Sequence, residues 1–325
     1  MSGDLLRHPA EAVLSRFHRP TQVVAGGFGL AVLIGTGLLA LPVAGATGEP
    51  AHWLDALFTA TSAVCLTGLT VVDTAGHWSV FGEVVIMLLI QAGGLGIMTL
   101  ATVFTLLVAG RIGLRARLLT QAETKMFGVA DLRRVVRNVV LFSLASELVV
   151  AAVLTARFGL GYDEPPGRAL YLGVFHAVSA FNNAGFALWP DSLARFTTDA
   201  WISLTIAGAV LVGGTGFPVL FELWRSWRHP SRWSVLTRVT LGMSLPLLLI
   251  GTFVYTLAEW NNPATFGPLD DGEKFLAGFF AAVMPRSGGF TTVDIGRMDP
   301  SSWLATDVLM FIGGGSASTA GGIKV

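Results

Sequence analysis

Five uninterrupted apolar runs, roughly residues 21–43, 82–109, 135–156, 200–223 and 236–257, restrict what this chain can fold into. Each is long enough to cross a hydrocarbon core of about 30 Å as a helix rising 1.5 Å per residue. A sixth run begins near Trp303 and stops at Ile312, where glycines take over. Only 13% of the 325 residues are charged and 53% are hydrophobic. A soluble domain carries about 25% charged residues, so lipid is the expected solvent for most of this surface. The expected fold class is an all-α polytopic membrane protein. Arg7, Arg16 and Arg19 before the first run and Ala44-Gly45-Ala46 after it imitate a cleaved leader. The run is nevertheless too long for the apolar region of a leader and reads as a span.

Charge orients the spans. With the N-terminus inside, the tail and the loops 110–137 and 224–238 hold 14 of the 21 Lys and Arg residues. That bias is the positive-inside pattern. The opposite loops carry most of the acids, among them Asp73, Asp191, Asp270, Asp271, Asp294 and Asp299. An acidic outer mouth would concentrate cations, although loops are also charged simply to stay solvated. Tryptophans such as Trp53, Trp78, Trp201, Trp224 and Trp303 flank the spans as an interfacial belt would. Cys65 is the single cysteine, which excludes an intrachain disulfide and a cysteine-based metal cluster. The six histidines show no metal-ligand spacing, and no Ser-His-Asp set or carboxylate pair suggests catalysis.

Three stretches between the spans line up: "FTATSAVCLTGLTVVD" (58–73), "FHAVSAFNNAGFALWPD" (175–191) and "FFAAVMPRSGGFTTVD" (279–294). In each, a Phe stands ten residues and an Ala eight residues before a glycine: Gly68, Gly185 and Gly289. An acid follows five or six residues later. The dozen mixed-apolar residues before each glycine are too few to cross a bilayer but suit a half-helix that dips in and returns. Irregular backbone at membrane depth is tolerated only inside protein or beside a water-filled path. A loop whose carbonyls must converge needs backbone angles that alternate in hand, which glycine supplies without steric penalty. Carbonyls arranged in a ring can replace the hydration shell of a cation.

These stretches resemble the pore loops of the Trk/Ktr/HKT potassium transporters, nearest to the membrane subunit of bacterial Ktr systems, and the resemblance runs over essentially all of the chain. It implies a pseudo-fourfold, potassium-channel-like pore built from repeated helix–re-entrant loop–helix units with one filter glycine each. It implies that the backbone carbonyls of Cys65, Leu66, Thr67 and Gly68, of Asn182, Asn183, Ala184 and Gly185, and of Arg286, Ser287, Gly288 and Gly289 bind K⁺. With one matched glycine per loop, discrimination among K⁺, Rb⁺ and Na⁺ is expected to be looser than in channels with more filter glycines. The chain then divides into a cytoplasmic tail (1–20), units at 21–109, 135–224 and 236–325, and cytoplasmic loops at 110–134 and 225–235.

The second spans share a small-residue signature: "QAGGLG" (91–96), "LVGGTG" (211–216) and "FIGGG" (311–315). The first two read as close helix contacts. The third opens a stretch too rich in glycine and hydroxyl residues to continue a helix. It does not match the spacing of a phosphate-binding loop, because five residues separate Gly315 from Gly321 and Lys324 follows Ile323. The resemblance implies an intramembrane gating loop below the filter, made of Gly313, Gly314, Gly315, Ser316, Ala317, Ser318, Thr319, Ala320, Gly321, Gly322 and Lys324. The span is expected to resume after Lys324, with a fourth repeat beyond the end of this sequence.

Two further charges lie at membrane depth. Glu147, in "LFSLASELVVAAV", is either functional or hydrogen-bonded to a neighbouring helix. Arg286 is expected to have an acidic partner. Lys324 reads equally as an electrostatic control on permeation or as an interfacial anchor. The leading expectation is a K⁺-translocating subunit, with Na⁺ as a candidate second ion and no organic cofactor. The resemblance further implies a homodimer in the bacterial inner membrane, a cytosolic nucleotide-binding regulatory ring and no nucleic-acid partner; the basic loops 110–137 and 224–238 read equally as its docking surface or as topology signals alone. The alternatives are an alternating-access transporter of another monovalent cation and, less favoured, an intramembrane enzyme acting through Glu147.

Overall fold

The computed structural model describes residues 20–117 and 129–324, with side chains for 25–100 and 134–324. The basic tail, residues 118–128, and the side chains of the basic loop up to 133 lie outside the described residues. So does Val325.

Ten helices carry the architecture of the described residues. They are α1 (Pro20–Leu39), α2 (Trp53–Cys65), α3 (Val80–Arg117), α4 (Val129–Gly161), α5 (Pro166–Phe181), α6 (Ala200–Thr215), α7 (Phe217–Ser226), α8 (Val235–Glu259), α9 (Asp271–Val283) and α10 (Pro300–Phe311). No strand forms among these residues; two isolated bridges join Gly45 to Trp78 and Ile312 to Ile323. Helices α3, α4 and α8 contain stretches long and apolar enough to cross a membrane. The chain is embedded in one. On α8, Leu245, Leu249, Ile250, Phe253 and Leu257 are each more than 60% exposed. Their spacing of four, five, eight and twelve residues makes one exposed apolar helical face.

The helices fall into three units: α1–α2–α3, α4–α5–α6/α7 and α8–α9–α10. In each, the short middle helix packs against the long helix before it. Small residues let them meet. A Cβ on Gly173 would stand 2.2 Å from the Thr155 hydroxyl, and one on Gly278 2.0 Å from that of Thr256. The units touch in chain order, with α3 against α4 and α5, and α6 against α9. The core at these contacts is aromatic: Phe158, Phe175, Phe186, Phe196, Phe280 and Phe290 are all buried.

The helices depart from the expected spans in two ways. First, α3 runs on to Arg117 and α4 starts at Val129, so helix continues into the segment read as the 110–134 loop. Second, the run 200–223 is not one span. Helix α6 ends at Thr215, and α7 leaves at 101° to it. Gly216 between them has φ 95° and ψ 137°, and Pro218 sits in the first turn of α7. Gly216 lies in the left-handed region open to glycine, and Pro218 cannot donate to the preceding turn. Together they correct the expectation of an unbroken helix.

Candidate ion path and its closure

Each short helix delivers a glycine loop of one design. The backbone is left-handed at Leu66 (φ 57°) and Gly68 (69°), at Asn183 (57°) and Gly185 (72°), and at Ser287 (95°) and Gly289 (77°). In every loop the two positive-φ residues flank one intervening residue, so the chain alternates in hand across four residues. Alternation is needed for successive carbonyls to face the same side, and left-handed angles disfavour residues other than glycine. Three non-glycine residues are nevertheless held there by local hydrogen bonds. Thr67 N donates to Ser62 O at 3.0 Å, Ala184 N to Ser179 O at 2.8 Å, and Gly288 N to Met284 O at 2.7 Å.

The loops meet at their glycines. A Cβ on Gly68 would lie 2.5 Å from Ala184 O. One on Gly185 would lie 2.9 Å from the Gly289 Cα, and one on Gly289 would lie 2.8 Å from the Gly185 Cα. The middle loop is therefore flanked by the other two. Asn182, Asn183 and Ala184 are buried, whereas Cys65, Thr67 and Gly289 are exposed. Gly68, Gly185 and Gly289 open together into one mouth, whose wall includes Thr70, Asp73, Trp189 and Ser192. The acids that follow the glycines also cap local turns: Asp73 accepts from Gly76 N at 2.7 Å and Asp294 from Gly296 N at 2.9 Å.

Behind the middle loop lies Glu147. It is 6% exposed and accepts from Ser143 Oγ at 2.9 Å and Asn182 Nδ2 at 3.1 Å. Gln91 Oε1 also faces Asn182 Nδ2, at 3.3 Å. The carboxylate thus braces the first residue of the loop from α4, while α3 reaches the same amide. His176 braces the segment after the loop. Its Nδ1 faces Leu172 O at 2.8 Å, its Nε2 accepts from Leu188 N at 3.2 Å, and its ring stacks on Trp189.

The glycine pairs of the second spans seat these loops. A Cβ on Gly93 would stand 2.1 Å from Val64 O, and one on Gly213 1.9 Å from Phe181 O. Val64 and Phe181 each stand four residues before their loop glycine, so the two contacts are the same contact in successive units. The third unit differs. Helix α10 stops at Phe311, and residues 313–322 leave and return through a narrow neck. Gly313 N donates to Ile323 O and Ile323 N donates to Phe311 O, each at 3.1 Å.

This loop docks on the break in the second unit. Gly315 N donates to Gly214 O at 2.9 Å and Thr319 N to Gly213 O at 3.4 Å. These carbonyls belong to the last turn of α6, where no intrahelical donor is available. Thr319 Oγ1 lies 3.2 Å from the Asn183 amide, and Gly321 N donates to Ser287 Oγ at 2.9 Å. Lys324 turns back beneath the loop, its ammonium bonding Ser318 Oγ at 3.2 Å and the Ala320 carbonyl.

Arg286 corrects one expectation. Among the described residues no carboxylate lies within 4 Å of it. Its guanidinium instead donates to Gly313 O at 2.9 Å and Ser244 Oγ at 3.1 Å, with Nε 3.4 Å from Ile312 O. Sequence reasoning also missed Gly216 as a break, although Gly-Phe-Pro after a glycine pair is a breaker signal.

Comparison with known proteins agrees with this architecture. The TrkH family, described as cation transport protein, matches residues 6–325. The Ktr system potassium uptake protein B of Bacillus subtilis (strain 168) is 43% identical over 306 residues, covering 94% of this chain and 68% of that protein. Its namesake from Vibrio alginolyticus is 40% identical, over 89% of this chain and 63% of its own length. The potassium/sodium uptake protein NtpJ of Enterococcus hirae is 35% identical over 94% of this chain and 67% of its own. The crystal structure of the potassium transporter TrkH from Vibrio parahaemolyticus superposes with a TM-score of 0.65 at 20% identity, over 92% of this chain and 58% of that one. The chain thus spans about two thirds of these relatives and shares their helical membrane fold; it belongs to the TrkH family of cation transport proteins.

Proposed function

We propose that this chain is the ion-translocating subunit of a potassium uptake system and that K⁺ crosses by losing its water to backbone carbonyls of the three glycine loops. The observation that carries the reading is the threefold recurrence of a left-handed pair, 66/68, 183/185 and 287/289, at glycines that touch in sequence. A ring of carbonyl dipoles needs no charged side chain to compensate a dehydrated cation. The described residues supply three quarters of such a pseudo-fourfold ring. Beneath it the 313–322 loop acts as the gate. Its contacts with Asn183 and Ser287 support that role, because a loop hung from the second and third filter strands obstructs whatever leaves them.

The ion proposed is K⁺, with Na⁺ as a second ion, in keeping with the printed names of the relatives. The assembly proposed is a homodimer in the bacterial inner membrane, N-terminus cytoplasmic, with a cytosolic nucleotide-binding ring on the basic loops.

Gly185→Ser tests the filter. Its Cβ would fall 2.9 Å from the Gly289 Cα at a φ of 72°, so strand two must shift. In uptake assays on the full-length protein, discrimination of K⁺ over Na⁺ should fall about tenfold, a change of ~1.4 kcal/mol. Unchanged selectivity would sink the filter assignment.

A further inference from the structure

Arg286 ends the 3-10 turn Met284–Arg286 that closes the third half-helix, so its backbone opens the third filter strand while its side chain runs elsewhere. Arg286 is nine-tenths buried as a residue. A charge taken out of water is costly unless it is fully hydrogen-bonded. Its acceptors are the Gly313 carbonyl, the Ile312 carbonyl and the Ser244 hydroxyl of α8. Ile312 is the C-terminal cap of α10. The partial negative charge at a helix C-terminus favours a cation there, so the broken end of α10 takes the place of an acidic partner. That end exists only because the helix stops to form the loop.

Ile312 and Gly313 also form one side of the neck through which the 313–322 loop leaves and returns. One side chain therefore joins the start of a filter strand, the neighbouring span and the base of the gate. We infer that Arg286 is the latch of the gate: its bonds to the neck carbonyls hold the 313–322 loop in the obstructing position, and opening requires their release. This inference rests on the proposed function and adds to it the residue that sets how often the gate is shut.

The test is Rb⁺ uptake into liposomes holding the full-length protein and no other polypeptide, with Na⁺ uptake measured beside it. Arg286→Gln removes the charge. Loss of even one hydrogen bond to a charged group should raise the open fraction, and with it Rb⁺ flux, by about tenfold. Ser244→Ala leaves the guanidinium but frees one of its anchors, and should raise flux by a smaller factor. It serves equally if Arg286→Gln does not insert. A rise in both variants, with Rb⁺ over Na⁺ discrimination retained in Ser244→Ala, supports the latch. Unchanged flux overturns it, and so does a rise in Ser244→Ala in which discrimination collapses, since that marks a damaged filter. If the wild-type protein carries no K⁺ or Rb⁺, the proposed function itself fails; wild-type flux with no response in the variants fails the latch alone.

Discussion

At the scale of single residues, glycine does two different jobs, and the sequence conveys one of them in more detail than the other. Gly68, Gly185 and Gly289 keep the same register with a Phe and an Ala, so the sequence exposes them as a set. Gly213 falls in the "LVGGTG" stretch, which marks a close helix contact without naming the partner. Its role depends on Phe181 O, which would lie 1.9 Å from an added Cβ, and a contact between elements 32 residues apart leaves no periodic trace. Gly208, on the same helix, would meet nothing within 4 Å. Gly213→Ala should therefore destabilise the solubilised protein by about 1–3 kcal/mol, the cost typical of overpacking, and lower its melting temperature. Gly208→Ala should hold or raise it, as alanine is the better helix former. Equal melting temperatures would show that α5 does not seat on α6 as described. Arg286 is illegible for a related reason. A buried cation implies an acid by elementary electrostatics, and only the fold reveals that a helix end can stand in for one.

At the scale of elements, the short middle helices and four of the long apolar helices are legible from length and composition, whereas the bend between α6 and α7 is not. The run 200–223 is apolar throughout, and apolarity does not distinguish a straight span from one turned through 101°. What starts α6 is clearer. Asp199 accepts from Trp201 N at 2.9 Å and Ile202 N at 3.2 Å, capping the helix, and from Arg157 Nε and Tyr162 Oη at 2.8 Å each. Burial would raise the Asp199 carboxyl, but the bonds from Arg157, Tyr162 and Ile202 outweigh it and hold the group below its usual range. Tyr162 is pushed up to about 12, by burial first and then by its bond to that carboxylate. A carboxyl depressed in the folded state adds stability that is complete above its unfolded pKa of about 4 and lost as pH falls through the folded value. A phenol raised in the folded state stabilises fully below its unfolded pKa of about 10 and loses that contribution as pH climbs towards its folded value. The melting temperature should therefore show a plateau between these limits. Asp199→Asn should flatten both flanks, measured as the difference from wild type at each pH. A wild-type difference that does not vary across the flanks would show that the cap is energetically idle.

At the scale of the whole molecule, three units touch in chain order and each presents its glycine to the next, so the proposed path is a property of no single unit. The resemblance along the chain conveys the repeat and its chemistry. It does not convey how the third unit's loop closes on the second unit's broken helix, because that fit joins residues about a hundred positions apart. The fit has a thermal consequence. Gly314 and Gly315 meet the backbone of Gly214 and Thr215, and the loop is held largely by amides, hydroxyls and two cationic side chains, with only the small side chains of Ala317 and Ala320 buried as apolar groups. Heat-capacity change tracks apolar surface exposed to water. Moving such a loop uncovers little of it, so the equilibrium between shut and open should have an enthalpy nearly constant with temperature. Flux through Arg286→Gln relative to wild type, plotted as its logarithm against reciprocal temperature, should give a straight line. Pronounced curvature would mean that opening unpacks an apolar interface. On the proposed reading, a gate built of backbone opens with an enthalpy set by charge and hydrogen bonding, so its response to warming keeps one slope throughout.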